Sequence, residues 1–380
     1  MSLQALLPRR VLTANGFESE RAVLLDEGTI VRVVPLAGCP AGACKRVLEG
    51  DLLPGFIDLQ VNGGGGVLFN DAPSVAGVAA IAEAHRRFGT TGLLPTLISD
   101  DLEVVARAIH AVDDAIARRV PGILGIHIEG PFLNPAKKGI HDAAKLRGLD
   151  ERGIELLSSL RRGRTLVTLA PELAPAGAVR ALVERGVVVA AGHTAGTYEQ
   201  VRAAFDEGLS GFTHLYNAMT QLESRAPGAV GAALDDAASW CGLIVDGHHV
   251  HPAALRVALK AKGPGRIALV TDAMPTVGSG VKEFRLGGRR IVAENGRCTD
   301  DAGTLAGSDL DMASAVRNAQ SMMGVDLATA ARMASRSPAR AIGLPETYGS
   351  IEAGARADLM LLGEDQQVLE TWIGGESLGA

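Results

Sequence analysis

Eight short apolar runs, each leading into a loop and separated by helix-length segments, constrain this chain more than any other feature. They occupy residues 53–60, 93–98, 123–129, 165–170, 187–192, 211–215, 242–246 and 267–272. Runs this continuous in apolar and small residues fit parallel strands covered on both faces. Amphipathic stretches at 75–88, 102–119 and 198–207 lie between them. Eight such units in series predict a (β/α)8 TIM barrel, in which side chains at the C-terminal ends of the strands gather on one rim. Glu129, His193, His214 and Asp272 stand at four of those ends.

The flanks read differently. Residues 21–25 and 29–34 form a hairpin pattern around Asp26-Glu-Gly28, and short strand patterns return at 357–362 and 368–373. Paired together, they predict a small β-sandwich domain built from both termini, 1–51 and 344–380, with the barrel at 52–343 inserted in it. Gly287-Gly288 and Asn295-Gly296 turns mark a β-hairpin insertion near 284–299. The chain has 380 residues, 47% of them apolar, enough for one large barrel and an accessory domain.

Composition excludes several function classes. A net charge of −6 without a Lys/Arg cluster argues against nucleic acid as a partner. No run is long enough to span a membrane, and the stretch after Arg9 and Arg10 is not a signal-peptide core. Cys39, Cys44, Cys241 and Cys298 lack zinc-finger spacing and read as reduced thiols, which predicts a cytoplasmic protein.

A carboxylate and two imidazoles from different strands form a ligand set for a catalytic zinc or similar divalent metal, with a position left for water. For each residue alone, a hydrogen-bonded place in the core is the competing reading; three at matching strand ends favour the metal. Asp272 stands open between proton transfer and loop capping. The Gly63–Gly66 run lacks the Gly-Lys-Ser/Thr of a nucleotide loop and reads as a turn.

Specific motifs extend this reading. Pro54-Gly-Phe-Ile-Asp58, Gly125-Ile-His-Ile-Glu-Gly-Pro-Phe-Leu-Asn134, Gly192-His-Thr194, Thr213-His-Leu-Tyr-Asn-Ala-Met219, Asp246-Gly-His-His249, Thr271-Asp-Ala273 and Leu305-Ala-Gly-Ser308 run through nearly the whole chain. Together the sequence resembles the N-acetylglucosamine-6-phosphate deacetylases of the amidohydrolase superfamily. The resemblance implies Glu129, His193 and His214 as metal ligands, and Asp272 as the base that activates water and the acid that protonates the leaving amine. It places His141 beside the acetamide, and Asn217, Ala218, Arg225 and His249 on the phosphorylated sugar, with Arg225 or His249 reaching across a homodimer interface. The stretch Leu305, Ala306, Gly307 and Ser308 would line the pocket. The implied reaction converts N-acetylglucosamine 6-phosphate to glucosamine 6-phosphate and acetate.

One departure from the wider superfamily bears on the metal count. Where many members end the first strand in His-x-His, this chain has Gln60-x-Asn62, and neutral amides are poor transition-metal ligands. One divalent metal per chain is expected, zinc ahead of iron. Among the other histidines, His85 and His110 are expected on helix surfaces, His127 in a core or hydrogen-bonding role facing the barrel interior, and His248 and His251 as neighbours of the substrate-binding His249. The rival readings are an N-acetylgalactosamine-type deacetylase, a base deaminase and a noncatalytic sugar-phosphate sensor.

Overall fold

The computed structural model describes residues 3–377 and contains the eight-stranded parallel sheet that the apolar runs predict. Its strands are β1 (Phe56–Val61), β2 (Thr90–Ile98), β3 (Gly125–Glu129), β4 (Arg164–Leu169), β5 (Val188–Ala191), β6 (Gly211–Phe212), β7 (Trp240–Leu243) and β8 (Ile267–Leu269). They neighbour one another in sequence order. The seam between β8 and β1 closes just beyond β8, where Val61 bridges Ala273 and the Asp272 N–H donates to Gln60 O at 2.9 Å. Asp58 ties the same seam, accepting from Thr271 Oγ1 at 2.5 Å and from the Gln60 N–H at 3.1 Å.

Helices cover the strands where their sequences carry start signals. Val75–Arg86 begins at Ser74, whose side chain accepts from Gly77 N, and Tyr198–Asp206 begins in a capping box of Thr197 and Gln200. The apolar faces of these helices and both faces of the strands merge into one large core. Among the described residues, no helix is long and apolar enough to cross a membrane.

The first strand begins later than the sequence suggests. Residues 53 and 54 finish the strand Cys44–Pro54 of the terminal sheet, and the chain crosses to β1 at Gly55. A Cβ at Gly55 would lie 2.0 Å from Thr91 Oγ1, so only glycine permits the crossing.

Both termini contribute to one eight-stranded mixed sheet. Cys44–Pro54 pairs in parallel with Gln4–Thr13 on one side and antiparallel with Leu359–Leu362 on the other. The edge strand Thr29–Pro35 meets the segment that leads into Leu359–Leu362, since Thr29 bridges Arg356 and Ile30 N donates to Ala355 O at 2.8 Å. The small β unit is therefore one hydrogen-bonded sheet curled over its own apolar core of Leu6, Val23, Ile30, Leu52, Leu359 and Trp372.

The insertion after β8 is larger than a hairpin. Glu283–Leu286, Arg289–Glu294, Arg297–Asp300 and Leu305–Ser308 form a four-stranded antiparallel sheet. The expected strands end at 299, whereas the fourth is the Leu305-Ala-Gly-Ser308 motif, recruited through the Asp300–Gly303 turn. This sheet has its own small core, in which Leu286, Ile291, Cys298 and Ala306 meet Leu68, Ile98 and Met274.

Candidate active site

The strand-end residues converge. Glu129 is the last residue of β3, while His193 and His214 follow β5 and β6 by two residues each, and Asp272 follows β8 by three. His193, His214 and Asp272 all have left-handed backbones, with φ of 48°, 32° and 54°. Such conformations are costly for residues with a Cβ and persist where the surroundings enforce them. Here they end the pleat early, which is why β6 covers two residues rather than the expected five.

Glu129 Oε1 lies 3.0 Å from His193 Nε2 and 2.9 Å from His214 Nε2, and the two imidazole nitrogens are 3.1 Å apart. All three side chains are buried. His193 donates from Nδ1 to Lys137 O at 2.8 Å, which leaves Nε2 as a lone pair facing His214. A carboxylate oxygen and two imidazole nitrogens crowded around one point, away from water, fit a divalent cation. Burial alone would raise the proton affinity of Glu129, but the adjacent His193 and His214 imidazoles, wherever they bear a proton, hold it well below the usual carboxylate range.

Asp272 sits beside this group under an amide clamp. Gln60 Nε2 donates to Asp272 Oδ1 at 3.0 Å and to Glu129 Oε2 at 3.1 Å, and Asn62 Nδ2 donates to the same Asp272 oxygen at 2.6 Å. Gln60 thus bridges the two carboxylates, and Asn62 helps to orient Asp272. Burial, then repulsion from Glu129, pushes the Asp272 carboxyl up to about 6, with His214, His249 and Asn62 opposing. A carboxyl so placed is suited to exchanging a proton near neutral pH. This hydrogen bonding places it in the cavity wall, beyond the reach of spacing arguments about a loop cap.

A cavity of about 500 Å³ opens above these groups. His141, Asn217, Ala218, His249, Leu305 and Gly307 line it together with Glu129, His193, His214 and Asp272. Burial, and next the nearby His193 imidazole, pushes the His141 imidazole down to about 3, so it is neutral. Asn217 Nδ2 donates to His214 O at 3.1 Å, fixing the turn that presents Ala218. His249 donates from Nδ1 to Asp246 Oδ2 at 2.6 Å, and both its own N–H and that of His248 reach Asp246 Oδ1 at 2.8 Å. Asp246 therefore aims the His249 ring; its place at the head of Asp246-Gly-His-His249 was the signal for that role.

Three expected pocket residues lie elsewhere. Arg225 is exposed in the 221–226 loop and does not line the cavity. Strand alternation points Leu305 and Gly307 inward, whereas Ala306 packs into the small core and Ser308 Oγ donates to Thr271 O at 2.6 Å. The remaining histidines also sort themselves. His127 is a core residue, hydrogen-bonded to Thr96 and Thr168 hydroxyls at 3.2 and 2.7 Å, and His110 is exposed. His251 caps helix Pro252–Lys262. His85 is not a surface residue: it is fully buried, with Nε2 2.8 Å from Gly63 O, where it anchors the glycine turn beyond β1.

A closed barrel whose rim carries a cation-fitting Glu/His/His group and a clamped carboxyl defines a hydrolase of the amidohydrolase class. The amidohydrolase family model matches residues 52–378. An N-acetylgalactosamine-6-phosphate deacetylase of Shewanella sp. (strain ANA-3) is 45% identical over 97% of this chain and 94% of its own length. The crystal structure of the Pasteurella multocida N-acetylglucosamine-6-phosphate deacetylase superposes with a TM-score of 0.96 at 34% identity, covering 100% of both chains. A variant of the Mycobacterium smegmatis N-acetyl-D-glucosamine-6-phosphate deacetylase, solved with N-acetyl-D-glucosamine-6-phosphate, superposes with a TM-score of 0.91 at 33% identity, again covering 100% of both chains. The chain belongs to the amidohydrolase family, on the branch of the N-acetylglucosamine-6-phosphate deacetylases and their galactosamine counterparts.

Proposed function

We propose that this enzyme hydrolyses the acetamide of N-acetylglucosamine 6-phosphate, giving glucosamine 6-phosphate and acetate. The convergence of Glu129, His193 and His214 with Asp272 and His141 in one cavity carries the reading. Glu129, His193 and His214 would hold one divalent metal, zinc in our reading, which when bound supplies Lewis-acid activation of water and of the acetamide carbonyl. Gln60 and Asn62 donate hydrogen bonds where a second metal would need ligands, which supports the single-metal reading.

Asp272 accepts a proton from the attacking water and returns it to the amide nitrogen as the carbon–nitrogen bond breaks, so that the amine leaves neutral. His141 donates from Nε2 to the carbonyl oxygen as negative charge develops there. His249, aimed by Asp246, and the Asn217-Ala218 turn take the sugar phosphate. Arg225, exposed in its loop, would serve the cavity of a second subunit, so the working unit is read as a homodimer, and the four free cysteines support a cytoplasmic setting for it.

A second reading, with N-acetylgalactosamine 6-phosphate as the preferred substrate, is favoured by the 45% identity to the Shewanella relative. Steady-state kcat/KM for the two phosphosugars, measured side by side, separates them. A ratio above one for the gluco sugar supports the main reading; a ratio below one replaces it with the second, and turnover of neither rejects both.

A further inference from the structure

The end of β2 supplies a residue that no motif singled out. Ser99, buried and next after Ile98, directs two groups at one nitrogen of His141: its Oγ lies 2.7 Å from Nδ1, and its backbone N–H donates to the same atom at 3.4 Å. A main-chain N–H only donates, so Nδ1 carries the lone pair and the ring proton resides on Nε2. Nε2 faces the site, 4.0 Å from Glu129 Oε1. Resting on the function proposed above, we infer that Ser99 is a positioning residue, which acts by locking His141 in the Nε2–H tautomer and aiming that N–H at the carbonyl oxygen of the substrate.

Two neighbouring features are arranged around this contact. A Cβ on Gly130, directly after Glu129, would lie 2.2 Å from Ser99 Oγ, and φ of 90° there also suits glycine. The hydroxyl thus occupies space kept free by the residue following a proposed metal ligand. Asn70 then pins the strand end on both sides of Ser99. Its Oδ1 accepts from the Ile98 N–H, and its Nδ2 donates to Ile98 O and to Asp100 Oδ2, each at 3.1 Å. Displacement of Ser99 is resisted by this bracket, and rotation of His141 by the two donors at Nδ1. Preorganised donors stabilise developing charge only when held in place before the reaction starts.

The test combines tautomer and kinetics. Heteronuclear NMR on histidine-labelled protein, assigned by difference against His141→Gln, should show His141 with an unprotonated Nδ1 and a protonated Nε2. In Ser99→Ala the Nδ1–H form should become populated. On N-acetylglucosamine 6-phosphate, Ser99→Ala should lower kcat roughly tenfold with KM nearly unchanged, and less than about twofold in a His141→Gln background. Ser99→Cys, close in volume but a weaker donor, should fall between wild type and Ser99→Ala. A wild-type His141 protonated on Nδ1, or an equal fractional loss in both backgrounds, would overturn the inference. The NMR result decides it even if the enzyme prefers another substrate, which keeps its failure distinct from failure of the proposed reaction.

Discussion

In the curled terminal sheet, buried carboxylates meet guanidinium groups: Asp51 meets Arg9 and Arg10, Asp358 meets Arg356, and Glu370 meets Arg46. On the barrel rim, Glu129 and Asp272 meet only imidazoles and carboxamides. The sheet's charges are therefore complete as they stand and serve cohesion. The rim is short of positive charge and places several lone pairs toward one point, a condition that a cation relieves. The contrast separates residues that hold the fold from residues that invite chemistry, although both sets are buried and charged.

The largest effect should come from breaking the rim at Asp272. Asp272→Asn keeps the shape but removes proton exchange, so kcat should fall by roughly 10²–10⁴-fold. Thermal unfolding should shift by no more than a few degrees, and retained turnover would reject the assigned role. In the sheet the pattern inverts. Leu52→Ala, in its apolar core, should cost about 2–4 kcal/mol in denaturant unfolding while kcat per folded molecule stays within about twofold. Asp51→Asn weakens a carboxylate whose partners are half exposed, so a loss of about 1–2 kcal/mol is expected, again without loss of kcat. A fall in kcat for either sheet variant would mean that the two regions are coupled.

The smallest effect sharpens the boundary between them, at the barrel seam. Burial pushes the Asp58 carboxyl up to about 7, against hydrogen bonds from Thr271 and Gln60. The folded state therefore binds more protons than the unfolded state between about pH 4 and pH 7, and stability contributed by this group is lost as pH rises through that window. Asp58→Asn lacks that slope. Its melting temperature should match wild type near pH 4 and exceed it by a few degrees near pH 8; a parallel offset at both values would contradict the assignment.

Much of the rim was legible because parallel strands buried on both faces leave unbroken apolar runs, and because the barrel delivers whatever follows them to one end. Glu129, His193, His214 and Asp272 were readable for that reason. His85 was readable too, since Val78, Ile81, Ala82 and His85 follow the helical period that marks a buried face; its polar side chain masked the pattern. Ser99 was not legible as a functional residue, because it acts through a contact made only when β2 meets the His141 loop, whereas Asp246 was marked by its motif but its hold on the His249 ring was not. The fourth strand of the inserted sheet, Leu305–Ser308, is small and glycine-containing, so it lacks the β-branched signal that marked the other strands. Arg225 belongs to an exposed loop, and the role proposed for it at a second subunit's cavity is one that a single chain does not display.

The proposed reaction requires the Glu129, His193 and His214 group and the phosphosugar cavity to act as one device. It is tested most directly by acetate release from N-acetylglucosamine 6-phosphate by the purified protein, before chelation, after chelation and after zinc restoration, with unphosphorylated N-acetylglucosamine alongside. Release from the phosphosugar that is lost on chelation and recovered with zinc, against little from the plain sugar, is the predicted result. Release that survives complete metal removal, or equal release from both sugars, would contradict the account.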